Sequence, residues 1–161
     1  MIKNKFYNIG TLGKPHSLKG YLYINHELFF RNLNFINKKV YINEQENEIE
    51  EIKTHLKNRY LIKFKDIDTI ESAEKLRNQK ISLTRNDLNI FLNKGLPWPG
   101  FYINENINDD IKILGYFYSD KYIFCNLLTD SEIVVPYNDH YFSFNDGKLK
   151  LINKLVNYPI K

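Results

Sequence analysis

Side chains able to do chemistry crowd one short stretch, "IGTLGKPHSLKGYLYI", residues 9–24: Lys14, His16, Ser17 and Lys19, with Gly10, Gly13, Gly20 and Pro15 between them. A histidine beside a serine raises nucleophilic hydrolysis. Adjacent side chains in an extended loop point apart, however, and the chain has no G-x-S-x-G elbow. Glycines before a lysine raise a phosphate cradle. The G-x-x-x-x-G-K-[ST] spacing is missing, no helical pattern follows, and Pro15 removes a backbone donor. What remains is a stiff basic loop. Lys14 is held extended by the proline after it, Gly13 and Gly20 can supply positive φ at either end, and Lys14, His16 and Lys19 face outward. A solvated turn and a contact surface both fit this reading.

Other chemistries find less support. The four histidines, His16, His26, His55 and His140, show no ligand-like spacing, so neither a metal nor another cofactor is expected. The single cysteine, Cys125, lies in the alternating run "YIFCNLL" and reads as a small core hydrophobe. With one cysteine no internal disulfide is possible, which suits a reducing cytoplasm. The N-terminal "MIKNKFYNIG" lacks the apolar core of a signal peptide, and no apolar run approaches the roughly 20 residues of a membrane helix. A soluble cytoplasmic monomer that is not an enzyme is the expectation.

The elements that must position these residues are mostly strands. The chain has 161 residues, 43% hydrophobic and 15% aromatic, with net charge +4. That allows one ordinary domain or two small ones, and a partner that is RNA or otherwise anionic. Period-two alternation sets Leu22 and Ile24 against Tyr21 and Tyr23. It sets Val40 and Ile42 against Tyr41, and Tyr60, Ile62 and Phe64 against Lys63 and Lys65; "KISLT" adds Ile81 and Leu83. One short helix is expected in "DIDTIESAEKLRNQK", capped by Asp68 with Glu71 three residues on, with Ile70, Ala73 and Leu76 on one face. Gly95, Pro97, Pro99 and Gly100 interrupt regular structure in "NDLNIFLNKGLPWPG", so a domain boundary is placed at roughly residues 88–98. Four or so further strands follow, and Pro136 should end one of them.

The opening stretch resembles the signature of the RimM family, the bacterial ribosome maturation factors, whose pattern is Gly-x-x-x-K-P-H-G-L-[KR]-G between two strands. Gly10, Lys14, Pro15, His16, Leu18, Lys19 and Gly20 match it, and Ser17 stands where the family usually has glycine. Phe64, Ile67, Asp68, Ala73, Glu74, Leu76, Arg77, Ile81, Arg85 and Leu88 match a second family segment. "GFYINENI" takes the place of Tyr-Tyr-Trp-x-Asp-Leu, with Phe101, Ile103 and Glu105 as departures, and "EIVVPY" resembles a later segment.

The resemblance implies an all-β fold with one or two short helices. It would comprise a translation-factor-like barrel in 1–88, a linker in 89–97 and a PRC-type barrel in 98–161. It also implies a non-catalytic assembly chaperone. Such a protein binds small-subunit ribosomal protein number nineteen on the immature subunit, and assists head assembly and 16S rRNA processing. The residues it singles out as ribosomal-protein or rRNA contacts are Lys14, Pro15, His16, Lys19, Gly20, Phe101 and Tyr102. Of the aromatic pair, placed on a barrel strand, Tyr102 is the one expected to face outward. A general RNA-binding barrel driven by basic charge is the alternative reading.

Overall fold

The computed structural model describes residues 5–32, 34–87 and 95–153. The chain divides into two compact units, Met1–Arg85 and Asn86–Lys161. Leu88 and residues 89–94 of the expected linker lie outside the described residues.

The first unit is a closed antiparallel barrel of six strands: β1 (Tyr7–Pro15), β2 (Leu22–His26), β3 (Lys39–Ile42), β4 (Gln45–His55), β5 (Arg59–Phe64) and β6 (Lys80–Leu83). Their order around the barrel is β1-β2-β5-β4-β3-β6, and pairing of β6 with β1 closes it. Closure needs curvature, and register shifts in β1 at Asn8/Gly10 and Leu12/Pro15, and in β4 at Ile49/Glu51, supply local bends. The β3–β4 hairpin turns on Asn43 and Glu44, both at positive φ (52° and 65°), the two-residue geometry that matches strand twist. Leu22, Ile24, Val40, Ile42, Ile62, Phe64, Ile81 and Leu83 are buried, as alternation requires, and Ile9 and Leu12 are both buried three residues apart on the irregular β1.

Two expectations are corrected in this unit. Lys63 is not a solvated outer residue. It is 6% exposed, and its Nζ donates to the Phe64 carbonyl (2.6 Å) and to Asp68 Oδ1 (2.9 Å), with Glu50 Oε2 3.6 Å away. A buried ammonium must be paired, and these oxygens pair it. With Asp68 held by Lys63, the helix cap passes to the next residue. The helix α1 spans Ile70–Glu74, and Thr69 and Ser72, not Asp68 and Glu71, form the reciprocal capping box. Ala73 is buried and Ile70 is 38% exposed.

The second unit holds a three-stranded antiparallel sheet of β7 (Lys112–Ser119), β8 (Tyr122–Leu128) and β9 (Glu132–Pro136), and a hairpin of β10 (Phe142–Asn145) and β11 (Lys148–Leu151). Pro136 ends β9, and Cys125 is fully buried in β8. Asp146 and Gly147, both at positive φ, turn the β10–β11 hairpin. The Asn108 side chain clasps β11 by donating to the Leu151 carbonyl (2.7 Å) and accepting from its N–H (3.0 Å).

Candidate functional site

The signature loop leaves β1 after Pro15 and is closed by the His16 N–H donating to the Tyr21 carbonyl at 2.8 Å. Ser17 takes φ 107°, a region that disfavours a side chain, and its Oγ accepts from the Lys19 N–H at 3.3 Å. Gly20, at φ 96°, is buried where a Cβ would collide with the Ile67 carbonyl oxygen. Gly20 is therefore architectural: it lets the loop press onto the 67–68 turn that Lys63 holds through Asp68. Gly13 has no positive φ, contrary to expectation, because it continues β1 as an ordinary strand residue.

Lys14 and Lys19 are exposed, Pro15 is half-buried, and Leu18 is 79% exposed. His16 is half-buried, for a reason absent from the linear spacing. Its Nδ1 lies 3.1 Å from the Tyr23 hydroxyl, and its ring sits 5.2 Å from the Tyr23 ring and 4.4 Å from that of His55 at the end of β4. Ser17 Oγ accepts from the Lys19 N–H and His16 Nδ1 pairs with the Tyr23 hydroxyl, so the hydrogen bonds found for the adjacent Ser and His do not join them as nucleophile and base. The Arg59 guanidinium stacks 3.7 Å over Tyr23, and Lys53 Nζ lies 4.4 Å over Tyr21. The Tyr21 hydroxyl donates to Glu51 Oε1 at 3.0 Å, and that bond holds its pKa above the ordinary value.

Desolvation lowers the pKa of His55, and the nearby positive groups His16, Arg59 and Lys53 add to the effect. The result is a patch of cations alternating with rings, built by the loop and by β2, β4 and β5. Sequence reasoning missed His55 and Arg59. The available signal was the outward pair Tyr21 and Tyr23 beside a histidine-bearing loop. The patch offers positive charge and stacking faces but no general base poised on a nucleophile. Among the described residues no group of three or more His, Cys, Asp and Glu gathers as metal ligands. Nor is any described helix long and apolar enough to cross a membrane.

Phe101 and Tyr102 lie in a 3-10 turn, Pro99–Tyr102, rather than on a strand. Both are buried, at 1% and 5% exposure, so the outward Tyr102 expected from strand alternation is corrected. Trp98 packs edge-on against Phe101 at 5.1 Å, and the Tyr137 hydroxyl donates to the Pro97 carbonyl at 2.5 Å. The structure thus separates the seven singled-out residues. Lys14, Pro15, His16, Lys19 and Gly20 sit together in the first unit, and the aromatic pair serves the core of the second.

Charge is also divided. Residues 1–85 carry 16 Lys and Arg against 10 Asp and Glu, a net +6, and residues 86–161 carry 7 against 9, a net −2.

Residues 7–88 match the model of the RimM N-terminal domain. The ribosome maturation factor RimM of Clostridium tetani (strain Massachusetts / E88) is 36% identical over 87 residues, 52% of this chain and 50% of that protein. The protein of the same name from Sulfurihydrogenibium sp. (strain YO3AOP1) is 33% identical over 82 residues, 50% of this chain and 48% of its own. The chain spans about half the length of these curated relatives. Among solved structures, the N-terminal domain of RimM from Thermus thermophilus shares 21% identity, covering 52% of this chain and 94% of that one, with TM-score 0.43. A putative 16S ribosomal RNA processing protein RimM from Pseudomonas aeruginosa shares 14% identity over 93% of this chain and 98% of its own, with TM-score 0.45.

Proposed function

The chain belongs to the RimM family, and from that premise we propose that it is a non-catalytic maturation factor of the small ribosomal subunit. It acts in the cytoplasm as a monomer. Residues 1–88 form its N-terminal domain, 89–97 the linker and 98–161 the C-terminal domain. It binds the immature subunit through small-subunit ribosomal protein number nineteen, and assists head assembly and 16S rRNA processing. The observation that carries this reading is the family match over residues 7–88, which includes the signature loop.

The mechanism is differential binding. A factor that fits the immature arrangement of protein and RNA better than the mature one stabilises the former and leaves as the latter forms. Lys14, His16 and Lys19 contribute the basic contact, with Pro15 and Gly20 setting the shape of the loop. The second unit's net −2 complements a basic protein partner. Because Phe101 and Tyr102 are buried, their part is to shape the second unit's surface from beneath rather than to touch the partner.

The second reading, an RNA-binding barrel driven by charge, is favoured by the net +6 of the first unit. A titration against the isolated ribosomal protein and against 16S rRNA fragments, at low and high salt, separates the two. Binding to the protein that persists at high salt supports the maturation-factor reading. Salt-labile RNA binding alone supports the second.

A further inference from the structure

A groove of about 400 Å³ opens where β1, β2 and the start of β5 meet the turns at Asn58 and Asn78. Tyr23, Tyr60, Arg31, Arg59, Asn58 and Asn78 are among its lining residues, and no Asp or Glu lines it among the described residues. Arg59 stacks 3.7 Å over Tyr23, and Arg31 lies 5.2 Å over Tyr60. Arg31 is anchored by its Nε–H, which donates to the His26 carbonyl at 3.0 Å. Neither guanidinium lies within ion-pair distance of a carboxylate among the described residues. Asn58 and Asn78 adopt left-handed backbone (φ 61° and 65°), which asparagine tolerates; that explains their type locally and leaves two amides at the rim.

Two arginine–tyrosine stacks, planar amides and uncompensated positive charge form a chemistry that matches one class of ligand. Unpaired nucleobases stack on aromatic and guanidinium planes, and their edges exchange hydrogen bonds with amides, while the attached phosphates answer the positive charge. An A-form duplex keeps its base faces stacked inside and shows only minor-groove edges, so it gives such a groove no base face to stack on. A polypeptide partner would leave two guanidiniums to be matched by its own carboxylates, whereas a phosphodiester chain carries a negative charge at every residue. The groove also sits in the unit that holds the net +6.

We propose that this groove is a binding site for unpaired RNA bases, held by Tyr23, Tyr60, Arg31 and Arg59. The proposal rests on the ribosome-associated reading and names the RNA element that the first unit grips: a single-stranded segment rather than a helix.

The test is fluorescence anisotropy of the full chain with a labelled oligouridylate of about 12 nucleotides and with an RNA duplex of equal length. The expected result is binding of the single strand at least about tenfold tighter than the duplex, and a loss of about tenfold or more in Arg59→Gln and in Tyr60→Leu. Lys121→Gln, which removes one exposed positive charge that does not line the groove, leaves the affinity within about twofold. Arg59 is exposed, so its variant keeps the test intact if Tyr60→Leu fails to fold. Equal affinity for single strand and duplex overturns the proposal, as does an equal loss in Arg59→Gln and Lys121→Gln. If the chain binds neither RNA and still sediments with small subunits, the groove proposal falls alone and the family reading stands.

Discussion

At the residue scale, the most telling position is His26. It is 5% exposed, its Nδ1 has no hydrogen-bond partner among the described residues, and desolvation, aided by the Arg31 charge, lowers its pKa to about 4. The unfolded chain takes up this proton near pH 6.5, whereas the folded chain resists until about pH 4. Stability is therefore present above pH 6.5 and is lost as the pH falls toward 4, by about 3 kcal/mol in total. Urea unfolding across that window should show His26→Leu losing less stability than the parent; parallel curves would contradict it. Ser17 makes a second, smaller prediction. Its φ of 107° is poorly suited to any side chain, so Ser17→Gly should stabilise by about 1 kcal/mol despite the added freedom of the unfolded chain. The sequence exposed this strain through the glycine that the resembled family carries there. It did not expose the ring partner of His16, because His55 stands at the end of a strand distant along the chain and reaches the loop only through the pairing of β2 with β5 and of β5 with β4.

At the scale of elements, alternation made the barrel strands readable, because each buries one face. Reading failed where a second demand overrode the pattern. Lys63 follows strand parity but is drawn into a buried cluster with Asp68, and that capture moves the helix cap to Thr69. Thr69→Ala should cost about 1 kcal/mol, measured by chemical unfolding, while Asp68→Asn should act through Lys63 and not through the helix. The segment "GLPWPG" reads as punctuation because its prolines and glycines forbid regular structure. Its residues Pro97, Trp98 and Pro99 are nevertheless buried in the second unit. At Gly100 a Cβ would collide with the Trp98 ring. Gly100→Ala should therefore displace the ring and destabilise the second unit by about 1–3 kcal/mol. Trp98 is the sole tryptophan, so its fluorescence reports the change directly.

At the scale of the whole molecule, the division into a basic and an acidic unit is the feature that composition conceals, since +6 and −2 average to a mild +4. The mostly β class was legible from alternation and aromatic content. The closed order β1-β2-β5-β4-β3-β6 was not, because non-sequential pairing leaves no local trace. Cys125, with its thiol pushed up to about 12 by burial, should resist thiol reagents in the folded chain and react on denaturation. The central claim concerns association with the small subunit, and sucrose-gradient sedimentation of a bacterial extract supplemented with the tagged chain tests it most directly. The account predicts that the chain travels with free small subunits and their precursors and is absent from full ribosomes. A chain that stays at the top of the gradient, or that follows every RNA-containing fraction alike, would contradict it.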